Sequence, residues 1–225
     1  MTIKKSILLA LLGACALVLA ACSNDAGTND TDAPAQTRFP AADLSEYGIE
    51  GEHRFYQVTM YEALQLRTEA DFDGILYFGF PGCPWCRDAV PVMHEASQST
   101  GIDVLYVSRD HELREGEWLE WDAEMAWWLY ESGLPGMLWI DEDGRPVDDM
   151  DNAYRPNIFV PQIVHVQDGA IINSHRSTFE DHDARERSLT PEEHEALHAI
   201  YVGIFENASN LPAGVCSEDD DEACS

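Results

Sequence analysis

The sequence predicts an α/β domain in which a central β-sheet is covered by helices on both faces. Three observations carry this expectation. Two apolar runs, Ile75 to Pro81 and Ile102 to Val107, read as buried strands. Segments with apolar residues at helical spacing lie beside them, and the resulting β-α-β-α-β order needs crossover connections that place helices on both sides. A hairpin from Ile163 to Ile172 and an amphipathic helix then close the chain.

Residues 1–21 follow the pattern of a secretory signal. Lys4 and Lys5 form its charged start, and Ile7 to Leu19 is an apolar stretch short for a membrane span. Leu19-Ala20-Ala21-Cys22 is similar to the lipobox of bacterial lipoproteins, which implies that Cys22 becomes a lipid-modified N-terminus after cleavage. The other reading is plain secretion with a cysteine nearby by chance. A lipid anchor would tether the chain at the extracytoplasmic face of a bacterial membrane without spanning it. Residues 22–45 are rich in Asp, Asn, Thr, Ala and Pro and are expected to be a flexible tether, with Phe39 and Leu44 the first to touch the domain. The domain is expected over residues 46–210.

Arg54 to Val58 alternates like an edge strand. Thr59-Met-Tyr-Glu62 is a capping box that opens a helix through Ala63, Leu64 and Leu66. After the Ile75 strand, Cys83-Pro84-Trp85-Cys86 opens a second helix. There Pro84 suits the first helical position, and Ala89, Val90, Met93 and Ala96 share a face. Gly101 ends it. Residues from about 110 to 157 read as a tryptophan-rich insertion, in which Trp118, Trp121, Met125, Trp128 and Leu129 fall on one helical face. That face is either core or an exposed aromatic surface for polypeptides. Leu138 to Val147 reads as a hairpin turning at Gly144. Thr190-Pro-Glu-Glu193 is a second capping box, leading a helix whose Leu197, Ile200, Tyr201 and Ile204 face the sheet. Residues 211–225 form an acidic tail.

The chemistry is concentrated at Cys83 and Cys86. A thiol at a helix N-terminus faces unpaired N–H groups and the positive end of the macrodipole, so Cys83 should ionise below the ~8.5 of a free cysteine. Cys86 lies one turn on, close enough to form a disulfide with it. A Cys-x-x-Cys pair can also be half of a zinc site, but four ligands are needed and the pair Cys216 and Cys224 has a different spacing. No metal and no cofactor is therefore expected. His194 and His198 stand four apart without a third ligand in view and read as surface histidines. Cys216 and Cys224 flank an acidic run and read as a structural disulfide, with a calcium loop or a second redox pair as alternatives.

The strand, turn, Cys-Pro-Trp-Cys and helix resemble the thioredoxin superfamily, and the resemblance extends further. Pro91 stands eight positions after Cys83, where the superfamily kinks this helix, and Val160-Pro161 precedes Gln162-Ile-Val-His-Val as its cis-proline does. The resemblance implies a thioredoxin-like fold with a central mixed sheet, the insertion falling before the cis-proline hairpin. Leu134-Pro135 imitates that motif, but the hairpin after Pro161 is the one that runs on to the final helix. An ordinary trans proline is the alternative at Pro161. The resemblance is nearest to bacterial surface lipoproteins and bacteriocin-transport accessory proteins. It implies that Cys83 and Cys86 form the redox disulfide, with Pro84, Trp85, Val160 and Pro161 supporting the site and binding substrate. One departure stands out: the superfamily carries a buried acid six positions before the first cysteine, and Tyr77 occupies that place. Arg87 would favour a Cys83 thiolate and Asp88 oppose it.

The net charge of −29 argues against nucleic acid and anionic lipid headgroups as partners and suits a well-solvated surface. The expected function is thiol–disulfide exchange with proteins outside the cytoplasm, alongside a membrane redox partner, its direction left open. The alternative is an accessory or binding subunit of an export or bacteriocin-transport system in which the dithiol is secondary.

Overall fold

A computed structural model describes residues 38–108, 118–147 and 153–210, all within one compact unit, Pro34–Ser225. The expected signal segment, Cys22, Cys216 and Cys224 lie outside the described residues. Among the described residues no helix is long and apolar enough to cross a membrane.

Packing begins ahead of the first strand, inside the stretch expected as tether. Phe39, Ala42 and Leu44 are buried, and Ala41 bridges antiparallel to Tyr56. A 3-10 turn at Ser45–Tyr47 follows, closed by Gly48 in the left-handed region. Strand β1 (Phe55–Val58) then leads to α1 (Met60–Leu66), whose capping box forms as the sequence predicts. The Thr59 hydroxyl accepts from the Glu62 amide at 3.1 Å, and the Glu62 carboxylate accepts from the Thr59 amide at 2.7 Å. Next come β2 (Asp73–Gly79), α2 (Pro84–Thr100), β3 (Val104–Ser108) and α3 (Trp118–Glu131). A short antiparallel trio, β4 (Leu138–Ile140), β5 (Pro146–Val147) and β6 (Arg155–Asn157), precedes the hairpin β7 (Gln162–Gln167) and β8 (Ala170–Arg176), and α4 (Pro191–Phe205) closes the domain.

The main sheet has the order β1-β3-β2-β7-β8. β1, β3 and β2 run parallel, while β7 is antiparallel to both β2 and β8. Alternation along the central strands splits the core in two. Ile75, Tyr77, Val104, Tyr106 and Ile163 face α2 and α4, where they meet Val90, Met93, Leu197 and Tyr201. Leu76, Phe78, Leu105, Val107, Val164 and Val166 face α1 and α3, where they meet Leu64, Leu66, Met125 and Leu129. The β7–β8 turn places Asp168 and Gly169 both at positive φ, the mirror-image turn that matches the twist of a hairpin.

Within the stretch read as an insertion, residues 110–157, α3 contributes to the core. Met125, Ala126 and Leu129 are fully buried and Trp128 nearly so, packed with α1 against the sheet. Each such side chain removed from water contributes roughly 1.5–3 kcal/mol, so α3 is a covering layer of the domain, and among the described residues the β4-β5-β6 sheet follows it. Trp127 and Tyr130 lie on the far side, where they meet Trp139 of β4 edge to face with ring centres 6.0 and 4.9 Å away. The side chains of Trp118 and Trp121 lie outside the described residues; in the rest of the stripe Met125, Trp128 and Leu129 are core, and Trp127 and Tyr130 are exposed.

Candidate functional site

The site forms where β2 gives way to α2. Gly79 ends the strand, and its lack of a Cβ leaves the space that the Tyr77 hydroxyl fills. The chain then turns through Phe80-Pro81-Gly82, with the Cys83 amide donating to the Phe80 carbonyl at 3.1 Å. Cys83 is the N-cap of α2 in extended backbone, and Pro84 takes the first helical position, where a missing N–H costs nothing. An N-cap side chain normally accepts from an orphan amide two or three residues on. Here the acceptor is sulfur: the Cys86 amide donates to Cys83 Sγ at 3.4 Å. Pro91 lies within α2, as the sequence predicts.

Both cysteines are thiols in this structure, and their environments push them apart. The pKa of Cys83 is lowered to about 7, first by the Cys86 thiol and then by the amides of Cys86 and Trp85, with burial opposing. Neither Arg87 nor Asp88 enters among those causes, so the Cys86 thiol and, after it, the amides of the helix terminus carry the effect. Burial, and after it the neighbouring Cys83, drives the Cys86 thiol far above the ordinary range. Cys86 is fully buried. The Cys83 sulfur is not the accessible one that a nucleophile at the head of a helix implies: Cys83 is only 7% exposed. Phe80, Trp85, Val160 and Phe179 all pack against the apolar cluster that holds both sulfurs.

The Val160–Pro161 peptide is cis, the one cis bond among the described residues, and Leu134–Pro135 is not. The Val160 carbonyl oxygen stands 3.9 Å from Cys83 Sγ, at the limit for a weak thiol hydrogen bond. Pro84 and Trp85 thus stand on the turn between the two cysteines, and Pro161 follows Val160, whose carbonyl faces Cys83 Sγ. Tyr77 is fully buried in the same cluster as Cys86. Its ring stacks on Tyr106 at 5.4 Å, and Tyr106 shares a 3.0 Å hydrogen bond with Tyr47. The paired histidines are separate from this site: His194 stands 3.5 Å from Glu95 on the surface. Among the described residues no group of three or more His, Cys, Asp or Glu is arranged to hold a metal ion.

Residues not singled out in the sequence complete the site. The Trp85 indole N–H donates to the His182 carbonyl at 3.0 Å, across 97 positions of chain. The Arg185 guanidinium lies over the Trp85 ring, 5.1 Å from its centre. His182 is buried, with its Nε2 3.2 Å from Asp88 of α2. Burial raises the pKa of Asp88, with His182 and Arg187 opposing. Nothing local marks His182, because Asp-His-Asp-Ala-Arg reads as an ordinary polar loop.

Strand order, the two helical layers and the cis-proline hairpin define a thioredoxin-like fold, with a Cys-Pro-Trp-Cys dithiol at the start of its second helix. No protein-family model matches the chain, and no curated protein does. Among solved structures, the crystal structure of thioredoxin from Aeropyrum pernix aligns with a TM-score of 0.34 and 17% identity, covering 54% of this chain and 74% of that one. At that level of similarity the match carries no argument, and the fold rests on the topology itself.

Proposed function

We propose that the protein is a thiol–disulfide oxidoreductase that exchanges disulfides with other proteins through Cys83 and Cys86. The observation that carries this reading is the split between the sulfurs: one held near its ionisation point at a helix terminus, its partner buried and protonated one turn away. In the reducing direction the Cys83 thiolate attacks a substrate disulfide, forming a mixed disulfide and expelling one substrate thiolate. Cys86 then loses its proton and attacks Cys83 Sγ. The Cys83–Cys86 bond forms, the second substrate thiolate leaves, and each substrate sulfur takes up a proton. Two electrons have passed from protein to substrate, and the oxidising direction reverses every step. The Val160 carbonyl lies 3.9 Å from the reacting sulfur, which supports a role in accepting a hydrogen bond from an extended substrate backbone.

The Leu19-Ala20-Ala21-Cys22 pattern supports an anchored location at the extracytoplasmic face of a bacterial membrane, where a membrane redox partner would reset the dithiol. Turnover of a disulfide-bonded protein such as insulin tests the activity. Wild type is expected to catalyse exchange and Cys83→Ser to abolish it; equal rates with and without the wild-type protein would refute the reading. A second reading, an accessory subunit of an export or bacteriocin-transport system, is favoured by the exposed aromatics Trp127, Tyr130 and Tyr154. Under that reading Cys83→Ser leaves the cellular role intact.

A further inference from the structure

The loop between β8 and α4 is tied to the first turns of α2 through one buried imidazole. His182 Nε2 stands 2.9 Å from the Arg187 carbonyl, which can only accept, so Nε2 carries a proton and donates. Nδ1 meets the hydroxyl of Thr178, itself buried, at 2.6 Å. The Asp88 carboxylate on α2 approaches the same Nε2 at 3.2 Å, and its Oδ2 is buried without a hydrogen-bond partner. The imidazole thus bridges both ends of its own loop and faces a buried acid of the redox helix. The loop is stiffened from outside as well. Arg185 pairs with Asp183 at 2.8 Å, and Arg187 pairs with Glu193 at the head of α4 at 2.6 Å. What this assembly holds is Trp85, clasped by the His182 carbonyl at its indole N–H and by Arg185 over its face.

We propose that His182 is a positioning residue of the dithiol site, pinning the loop over α2 so that Trp85 stands as a fixed wall beside Cys83 against which polypeptide substrates dock. The inference rests on the dithiol-exchange reading and deepens it. Trp85 and Val160 both pack against the cluster holding the sulfurs, so a chain segment reaching Cys83 must pass them. A small disulfide offers little surface to such a wall, whereas a peptide loses docking contacts when the ring swings free.

Two measurements test this, one independent of activity. The first is hydrogen exchange of the Trp85 indole N–H by NMR. It should be protected in wild type and exchange at least about tenfold faster in His182→Ala. His182→Gln, whose amide can donate to the Arg187 carbonyl and accept from Thr178, should restore most of that protection. The second compares a disulfide-bonded decapeptide with hydroxyethyl disulfide. His182→Ala should raise KM for the peptide about fivefold more than for the small disulfide. Unchanged indole exchange in His182→Ala, or equal losses with both substrates, overturns the proposal. If wild type turns over neither probe, the exchange reading fails, and the indole measurement alone decides whether His182 holds Trp85.

Discussion

The reduced protein should alkylate at Cys83 with a midpoint near pH 7 and leave Cys86 almost untouched. A free thiol ionises at ~8.5, and the site lowers Cys83 to about 7. At 1.36 kcal/mol per unit, the neighbouring thiol and then the amides of the helix terminus favour the thiolate by about 2 kcal/mol. At pH 7 half of Cys83 is then ionised against about 3% of a free thiol, a gain of roughly 16-fold. A less basic thiolate is also less nucleophilic, and a Brønsted slope near 0.45 removes a factor of about 5. The net expectation is alkylation about threefold faster than a free thiol at pH 7, with the advantage gone by about pH 8. Iodoacetamide labelling against pH, with each cysteine quantified by peptide mass spectrometry, reads both sites at once. Cys86→Ala should move the Cys83 midpoint upward, because the Cys86 thiol is the largest lowering influence. The same depressed pKa has a stability consequence. The ionised form is favoured only in the folded state, so its stabilisation is complete above the unfolded thiol's pKa and is lost as pH falls through about 7. A Cys83 midpoint at or above about 8.5, or preferential labelling of Cys86, would refute the reasoning.

Two further substitutions test the packing that supports the site. Gly79→Ala places a Cβ where the Tyr77 hydroxyl and ring edge already lie. Overpacking of this kind costs about 1–3 kcal/mol, which thermal denaturation should show as a drop in Tm of about 2–4 °C per kcal/mol. Tyr77→Leu should remove most of that penalty in the double variant; strict additivity would count against the overlap. Arg155→Met takes the cation away from Asp122, a fully buried carboxylate 3.3 Å from it. Urea denaturation should register a loss of about 3 kcal/mol or more, and a loss below about 1 kcal/mol would show that the pair does not anchor β6 to α3.

The features legible in the sequence are those in which local chemistry and final packing agree. Thr59 with Glu62 and Thr190 with Glu193 are capping boxes on the page and in the fold. Alternation through Ile75–Phe78 and Val104–Val107 sorts the residues onto the two faces they occupy. The dithiol was readable because Cys83, Pro84 and Cys86 act within one helical turn. α3 was harder to place. A tryptophan stripe is equally consistent with an appended surface and a buried layer until its neighbours are known, and Met125 and Leu129 resolve it only by contact with α1 and the sheet. The burial of Cys83 was not legible for a related reason: Val160 and Phe179, which pack against the cluster that holds its sulfur, lie far along the chain. The His182–Trp85 contact is the extreme case, a tertiary hydrogen bond between an unremarkable loop and a motif residue, with no periodic or compositional trace.

The most direct test is an equilibrium titration of the wild-type protein in glutathione buffers of graded potential, with disulfides mapped at each point. The expected result is a single reversible two-electron transition in which the bond formed joins Cys83 to Cys86. Cysteines that stay reduced across the whole range, or a bond that joins either of them to another partner, would contradict the account.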